Sequence, residues 1–177
     1  KNFYHTWVTN GYTSAEAIKK ASKFLHAVNV DYKGDDRFYQ ELCSARLKPV
    51  QNALKAYKKN KIWIEVTNLL ISGKNDSDEQ IEEMVSWIAD NLGQVPLHFS
   101  RFFPHYKLNA PITPLQTLER AAAIAEKRLD YVYFGNIRHE KENTFCHNCK
   151  NMLIQREGFF VVKIDLKKYY TLHDIRQ

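Results

Sequence analysis

Residues 62–73 read IWIEVTNLLISG, a nearly continuous apolar run that only Glu65, Thr67 and Asn68 interrupt before Gly73. Such a run is typical of a parallel β-strand that is covered on both faces. Four shorter runs of the same kind are WVTNG (7–11), AVNVDYKG (27–34), PLHFSRFFP (96–104) and YVYFGN (131–136). Nearly every run ends in a polar cluster, and β/α barrels build their active sites from the carboxyl ends of parallel strands.

Segments with helical periodicity separate these strands. We predict helices over Ser14–Leu25, from Asp35 through Cys43, over Leu47–Tyr57, Ser77–Leu92 and Pro114–Arg128. From the second strand onward the strand starts recur roughly every 34 to 35 residues, close to one βα unit. The predicted fold class is α/β, a partial barrel of about five parallel strands with helical crossovers. It occupies residues 1–136, and residues 137–177 form a small appendage that contains a β-rich run, Phe159–Leu166.

Composition favours an ordered domain that attracts anions. The 177 residues are 44% hydrophobic and 13% aromatic, which is enough for a packed core, and the formal net charge is +6. The basic residues are spread along predicted helix faces and near the tail, so a nucleic-acid partner is not expected. The substrate is expected to be either a protein or a small molecule, and the composition favours neither.

The sequence also bears on compartment and completeness. It has no run of 18 apolar residues and no apolar signal segment in residues 1–12, so no membrane partner is expected. Three cysteines are too few for a disulfide framework, which predicts a cytoplasmic protein. The chain begins at Lys1, shortly before a strand, and this predicts that an upstream portion is missing. The unpaired first strand would then expose a sheet edge, through which self-association is expected.

Several candidate ligand-binding residues stand at the strand ends. Asp31 and Lys33 are two residues apart and share one side of their strand, where they either contact a polar ligand or close the strand as a salt bridge. Thr67 and Asn68 are polar residues in an apolar strand and need partners, of which a ligand is one. Glu65 would need a partner such as Lys33 or Arg101 if it is buried.

Two further clusters each have a structural and a ligand-binding interpretation. His98 and Ser100 share a face in the fourth strand, where His98 is either a satisfied core residue or a ligand contact. Thr9 and Asn10 precede Gly11 and also have the composition of a plain turn.

The appendage contains Cys146 and Cys149 as a C-x-x-C pair. This is half of a usual zinc site, so we predict both as metal ligands with zinc as the candidate ion. No second pair follows, although His139, His147 and His173 are possible substitutes. Cys43 is predicted to be a core residue.

Seven segments, in order, carry a resemblance to a known family: TNGYTS, AVNVDYKG, FYQELCSARLKPV, IWIEVTNLLISGKNDSDEQIEEMVSWI, PLHFSRFFPHYKL, YVYFGN and TFCHNC with MLIQREGF. The chain resembles the later two thirds of the radical S-adenosylmethionine enzymes related to glycyl-radical activases. The group is known as AmmeMemoRadiSam or pyruvate formate-lyase activating enzyme-like proteins.

The resemblance implies cofactors and site residues. Family members bind S-adenosylmethionine and a [4Fe–4S] cluster, whose C-x-x-x-C-x-x-C loop and Gly-Gly-Glu motif would precede Lys1. By position, the family's cofactor-binding residues correspond to Thr9, Asn10, Asp31, Lys33, Thr67, Asn68, His98 and Ser100. The sequence departs from the family at Ser72, at His26 and in the lack of a second Cys pair.

The resemblance implies pocket walls without the radical-forming residues, so this chain alone is expected to be inactive. The alternative is a non-catalytic binding or interaction protein with a metal-stabilised tail. A phosphate-binding barrel enzyme is disfavoured, because no Gly-rich phosphate loop follows any strand.

Overall fold

A computed structural model describes residues 3–158 and 160–166 of the chain. Its main sheet contains five parallel strands in the order of the sequence: β1 (His5–Thr9), β2 (Leu25–Asp31), β3 (Trp63–Leu70), β4 (Leu97–Arg101) and β5 (Val132–Gly135). Consecutive βα units produce this order, because each crossover places the next strand beside the last. The predicted partial β/α barrel is therefore confirmed.

The helices form a single layer on one face of the sheet. They are α1 (Ala15–Ala21), α2 (Asp36–Cys43), α3 (Leu47–Lys59), α4 (Asp78–Leu92) and α5 (Leu115–Ala125). Within the layer α1 packs on α3, α3 on α4 and α4 on α5. The opposite, concave face of the sheet is thereby left for ligands or for another part of the chain.

Local sequence signals set where the helices begin. The Ser14 hydroxyl accepts a hydrogen bond from the Ala17 N–H, and the Asp35 carboxylate accepts one from the Phe38 N–H. Helix α4 begins with a capping box between Ser77 and Gln80, next to the predicted helix start at Ser77. Each cap satisfies an N–H group that has no partner within its helix.

Helix α1 is shorter than predicted. It ends at Ala21 rather than continuing to Leu25, and Leu25 already belongs to β2. Phe24, within the range predicted as helix, is 54% exposed. The helical spacing of apolar residues continues past Ala21 in the sequence because Leu25, the buried first residue of β2, stands four residues after Ala21.

The two faces of the sheet differ in polarity. Val30, Val66, Phe99 and Phe134 alternate onto the helix-facing side and are buried in the core. The residues between them point to the concave side, since side chains alternate along a strand. This alternation decides which predicted residues can reach a common site.

A second, antiparallel sheet follows β5. It contains β6 (Thr144–Phe145), β7 (Met152–Glu157) and β8 (Phe160–Ile164), so part of the predicted β-rich run forms β8. A hydrogen bond of 3.0 Å between the Tyr133 hydroxyl and Thr144 Oγ1 joins the two sheets.

The division of the chain into residues 1–136 and 137–177 stays a prediction. Among the described helices, none has the length and apolar character needed to cross a bilayer.

Candidate functional site

A row of side chains crosses the concave face of the sheet. Asp31 is in register with Thr67, Thr67 with His98, and His98 with Tyr133. Residues in register on neighbouring parallel strands point to the same side, so these four side chains form one band. Three of the four residues were predicted from the sequence.

Two cavities open on this face. The smaller, of about 220 Å³, is lined by Asp31, Lys33, Thr67, Leu69, Ser100 and Asn136. The larger, of about 1090 Å³, lies between the concave face and the antiparallel sheet. Thr67, Ser100 and Asn136 line both cavities, which are therefore neighbours along the carboxyl ends of the strands.

The smaller cavity brings together four of the predicted cofactor-binding residues. Lys33 Nζ lies 2.9 Å from Asp31 Oδ2, and about a third of each side chain remains exposed. The salt bridge is therefore present, and both charged groups can still reach a ligand. Gly135 keeps room for the Ser100 hydroxyl, because a Cβ atom there would lie 2.5 Å from Ser100 Oγ.

His98 pairs with Glu65 rather than standing alone. His98 Nε2 lies 2.9 Å from Glu65 Oε2, and this bond lowers the pKa of Glu65 against the opposing effect of burial. Glu65 therefore has the partner that its burial requires, but that partner is His98 and neither of the two examples, Lys33 and Arg101. Lys33 binds Asp31, and the Arg101 Nε–H donates to the Thr113 carbonyl.

Tyr133 stacks on the His98 ring from β5. The ring centroids are 5.0 Å apart and the planes differ by 24°. Burial raises the pKa of Tyr133, so its hydroxyl stays protonated at neutral pH and can donate to Thr144. The stack and the Glu65 bond together hold the imidazole in one orientation.

Asn68 does not join this band, and the expectation that it converges with Asp31, Lys33 and His98 is wrong. It is 1% exposed, lies in register with Phe99 and donates from Nδ2 to the Tyr32 carbonyl at 2.7 Å. Adjacent strand residues point to opposite sides, so Thr67 and Asn68 cannot both face the cavity. In the structure Asn68 stabilises the end of β2.

Thr9 and Asn10 form a turn. Thr9 Oγ1 accepts a hydrogen bond from the Gly11 N–H, and Asn10 Oδ1 accepts one from the Tyr12 N–H. Gly11 has a φ of 74°, which is the conformation that the turn alternative required. Neither side chain lines either of the two cavities, so a cofactor role for Thr9 and Asn10 stays a prediction from the resemblance.

The predicted metal ligands stand apart from the band. Cys146 is buried and Cys149 is exposed. His147 Nδ1 lies 3.3 Å from the Tyr131 hydroxyl, and His139 Nδ1 accepts from the Lys141 N–H. Within residues 3–158 and 160–166, no group of three or more His, Cys, Asp or Glu side chains could hold a metal ion. His173 lies outside the described residues, so zinc at the Cys pair stays a prediction.

Sequence reasoning missed two buried polar residues that shape the carboxyl rim. Asn75 donates to the Lys33 and Leu69 carbonyls at 2.6 and 2.9 Å and accepts from the Ile71 N–H at 2.7 Å. Thr113 donates to the Leu70 carbonyl and accepts from the Phe102 N–H. Both lie in loops, where an Asn or Thr is usually a surface residue, so nothing in the local pattern marked them.

Arg156 was also missed, and it reaches the band from β7. Its guanidinium carbon lies 5.8 Å from the centre of the Tyr133 ring, and Nη1 donates to Thr144 Oγ1 at 2.8 Å. Its positive charge contributes to the lowered pKa of Glu65. Its position in an appendage about 90 residues from Glu65 in the chain gave no sequence signal.

Comparison by sequence finds a clear relative. No family model matches the chain. A Methanocaldococcus jannaschii protein, described as uncharacterized protein MJ0808, is 44% identical over 167 residues. The match covers 92% of this chain and 50% of the relative, so the chain spans about half the length of the curated protein that it matches.

Comparison by structure finds radical S-adenosylmethionine enzymes. A domain of pyruvate-formate lyase-activating enzyme from Bacteroides vulgatus superposes with a TM-score of 0.64 at 14% identity, over 75% of this chain and 81% of that one. A radical SAM methyltransferase from Sphaerobacter thermophilus gives 0.61 at 17% identity, over 75% and 40% of the two chains.

A third structure contains the cofactor. Streptococcus suis SuiB bound to S-adenosylmethionine gives a TM-score of 0.58 at 14% identity, over 75% of this chain and 31% of that one. At such low identities the likeness concerns the fold. The chain has the partial-barrel fold of radical S-adenosylmethionine enzymes, as the resemblance predicted.

Proposed function

We propose that this chain forms part of a radical S-adenosylmethionine enzyme of the glycyl-radical activase type and supplies walls of its cofactor and substrate pockets. The observation that carries the proposal is the smaller cavity, where Asp31, Lys33, Thr67 and Ser100 meet at the carboxyl ends of β2–β4. The shared fold supports it, and so does the description of SuiB as bound to S-adenosylmethionine.

The chemistry of the smaller cavity suits the amino-acid end of S-adenosylmethionine. The Lys33 ammonium is a partner for a carboxylate, and the Asp31 carboxylate is a partner for an ammonium or for ribose hydroxyls. The ligand would exchange the Asp31–Lys33 bond for one bond to each residue. Because the larger cavity adjoins the smaller one, the rest of the cofactor can extend along the band toward His98.

The residues present do not fit a [4Fe–4S] cluster. The sequence contains three cysteines, Cys43, Cys146 and Cys149, and their spacing is not C-x-x-x-C-x-x-C. Cys43 is on α2, and the part of the chain that the structure describes holds no three-ligand cluster. The proposed role of this chain is therefore to bind and orient the ligands, and no radical step is assigned to its residues.

Calorimetric titration with S-adenosylmethionine tests this proposal. We expect measurable heat for the 177-residue chain and about tenfold weaker binding for both Asp31→Asn and Lys33→Met, because each loses one charged hydrogen bond. Asp90→Asn is the matched control, since Asp90 is an exposed residue of α4 that lines neither cavity. Asn10→Ala tests the turn residue that the resemblance also implicates. Absence of heat would contradict the proposal and favour a non-catalytic binding protein. Weakening by Asn10→Ala alone would place the cofactor elsewhere.

A further inference from the structure

The larger cavity contains two polar groups whose bonding capacity is only partly used. They are the guanidinium of Arg156 on the antiparallel sheet and the imidazole of His98 on the parallel sheet. The remainder of the wall is mixed, with the aromatic residues Trp63, Tyr131 and Tyr133 beside aliphatic and polar residues. Ligand sites in proteins usually combine apolar and aromatic wall residues with a few placed polar groups.

Arg156 is anchored through one end of its guanidinium. Nη1 donates to the Glu142 carbonyl at 3.0 Å and to Thr144 Oγ1 at 2.8 Å. Among the described residues, none forms a hydrogen bond with Nε or Nη2 of Arg156, and none places a carboxylate within 4 Å of its guanidinium. The open Nε–Nη2 edge matches the spacing of two oxygens of a carboxylate or phosphate.

The acidic residues of the cavity wall do not supply that partner. Glu65 binds His98. Glu142 Oε2 accepts from the Gly158 N–H at 2.9 Å, and its Oε1 lies 3.9 Å from Arg138. Asp130 is exposed at the amino end of β5. A part-buried guanidinium without an ion-pair partner is unfavourable, so an anionic ligand group would stabilise it.

His98 offers an acceptor on the opposite wall. A carboxylate only accepts hydrogen bonds, so the ring proton belongs on Nε2, facing Glu65. In the neutral imidazole Nδ1 then carries a lone pair, and it has no hydrogen bond within the described part of the chain. The Tyr133 stack fixes the ring plane. His98 is therefore set to accept from an O–H or N–H group of a ligand.

We propose that the larger cavity binds a small organic oxyanion that also carries a hydroxyl or amino group. The carboxylate or phosphate lies against Nε and Nη2 of Arg156, and the O–H or N–H donates to Nδ1 of His98. That this ligand is the substrate rests on the proposed function. The binding site itself does not, because it uses residues outside the Asp31–Lys33 pair.

Nuclear magnetic resonance titration without S-adenosylmethionine tests the site. The probes are L-lactate, glycerol 3-phosphate, propionate and the neutral lactamide, observed through the Arg156 Nε–H and His98 ring signals. We expect both signals to shift with lactate or glycerol 3-phosphate and not with lactamide. The probe that binds more tightly tells whether the site prefers carboxylate or phosphate.

Variants separate the two contacts. Arg156→Gln should weaken oxyanion binding about tenfold or more, and Arg156→Lys by less, because it keeps the charge but loses the fork. His98→Phe keeps the ring stack and removes the acceptor. It should abolish the preference of the protein for lactate over propionate. In the native chain we expect this preference to be about fivefold in affinity, because lactate makes one additional hydrogen bond. Arg37→Gln is the control, since Arg37 is an exposed residue of α2.

Two outcomes would overturn the inference. One is that neither oxyanion shifts the Arg156 and His98 signals of the unmodified chain, a result that does not depend on any variant folding. The other is that Arg37→Gln weakens binding as much as Arg156→Gln, which would indicate nonspecific attraction to a basic protein. Binding of lactate with no binding of S-adenosylmethionine would refute the proposed function and leave this site standing.

Discussion

Glu65 and His98 show how one residue pair organises the concave face. Glu65 is part-exposed, yet its hydrogen bond to His98 lowers its pKa despite the burial that opposes this shift. The bond also decides which nitrogen of His98 faces the cavity. A single carboxylate on β3 thus controls the acceptor that β4 presents to a ligand.

The lowered pKa of Glu65 predicts a specific acid sensitivity. A carboxyl group with a depressed folded-state pKa adds stability that is complete above its unfolded pKa, 4.5, and is lost as the pH falls through the lower folded value. We expect the unfolding midpoint of the native chain to fall more steeply below about pH 4.5 than that of Glu65→Gln. Urea unfolding between pH 6 and pH 3 measures this difference.

Glu41→Gln provides the comparison for this experiment. Glu41 also forms an ion pair, with Arg37, but on the exposed surface of α2. Its substitution should leave the slope of stability against pH nearly unchanged, because exposed pairs contribute little. Equal slopes for the native chain and Glu65→Gln would show that the Glu65–His98 bond is not maintained in solution.

At the scale of elements, the antiparallel sheet completes the larger cavity. It is joined to β5 by the Tyr133–Thr144 hydrogen bond, and Arg156 both donates to Thr144 and lies over the Tyr133 ring. These contacts are few compared with those between neighbouring strands of the main sheet. These polar contacts therefore contribute to holding the cover of the cavity in place.

Tyr133→Phe tests that contribution. The substitution keeps the ring and removes the hydroxyl. The free energy of local opening of the sheet β6–β8 should therefore fall by about 1 kcal/mol. Hydrogen exchange should become about fivefold faster in β6 and β7, while exchange in β2 and β3 stays the same. Tyr12→Phe, at an exposed tyrosine, should change neither region. Faster exchange throughout the main sheet would contradict the local role given to the hydroxyl.

At the scale of the whole molecule, no described strand pairs with the outer edge of β1. β1 pairs only with β2 among the described strands, and Val8 is 84% exposed. Phe3 and Tyr4 are also exposed beside it. An unpaired strand presents a row of free N–H and C=O groups, which another strand can use.

We therefore expect the chain to self-associate through β1 at high concentration. A lysine on an edge strand opposes such pairing, so Val8→Lys should weaken self-association about tenfold. Sedimentation at increasing protein concentration measures it. Val161→Lys places the same charge on β8, the edge of the antiparallel sheet, and should have little effect. A larger effect of Val161→Lys would assign the contact to β8 instead.

Much of the architecture was predictable from the sequence because its signals are local. The apolar run of β3, the capping box at Ser77 and the repeated strand spacing each lie within one element or one βα unit. Asp31, Lys33, Thr67, His98 and Ser100 were found because polar residues at strand ends stand out within an apolar run. Strand periodicity alone could also have shown that only one of Thr67 and Asn68 faces the cavity.

Contacts between distant segments were decided only by the tertiary structure. Glu65 meets His98 because the register of β3 and β4 places His98 beside Thr67, two residues from Glu65 on the same side of β3. Arg156 reaches Tyr133 because the antiparallel sheet folds back over the concave face. Periodicity tells which side of its own strand a side chain occupies. It carries no information about which residue of another strand lies opposite, because that depends on packing the whole sheet.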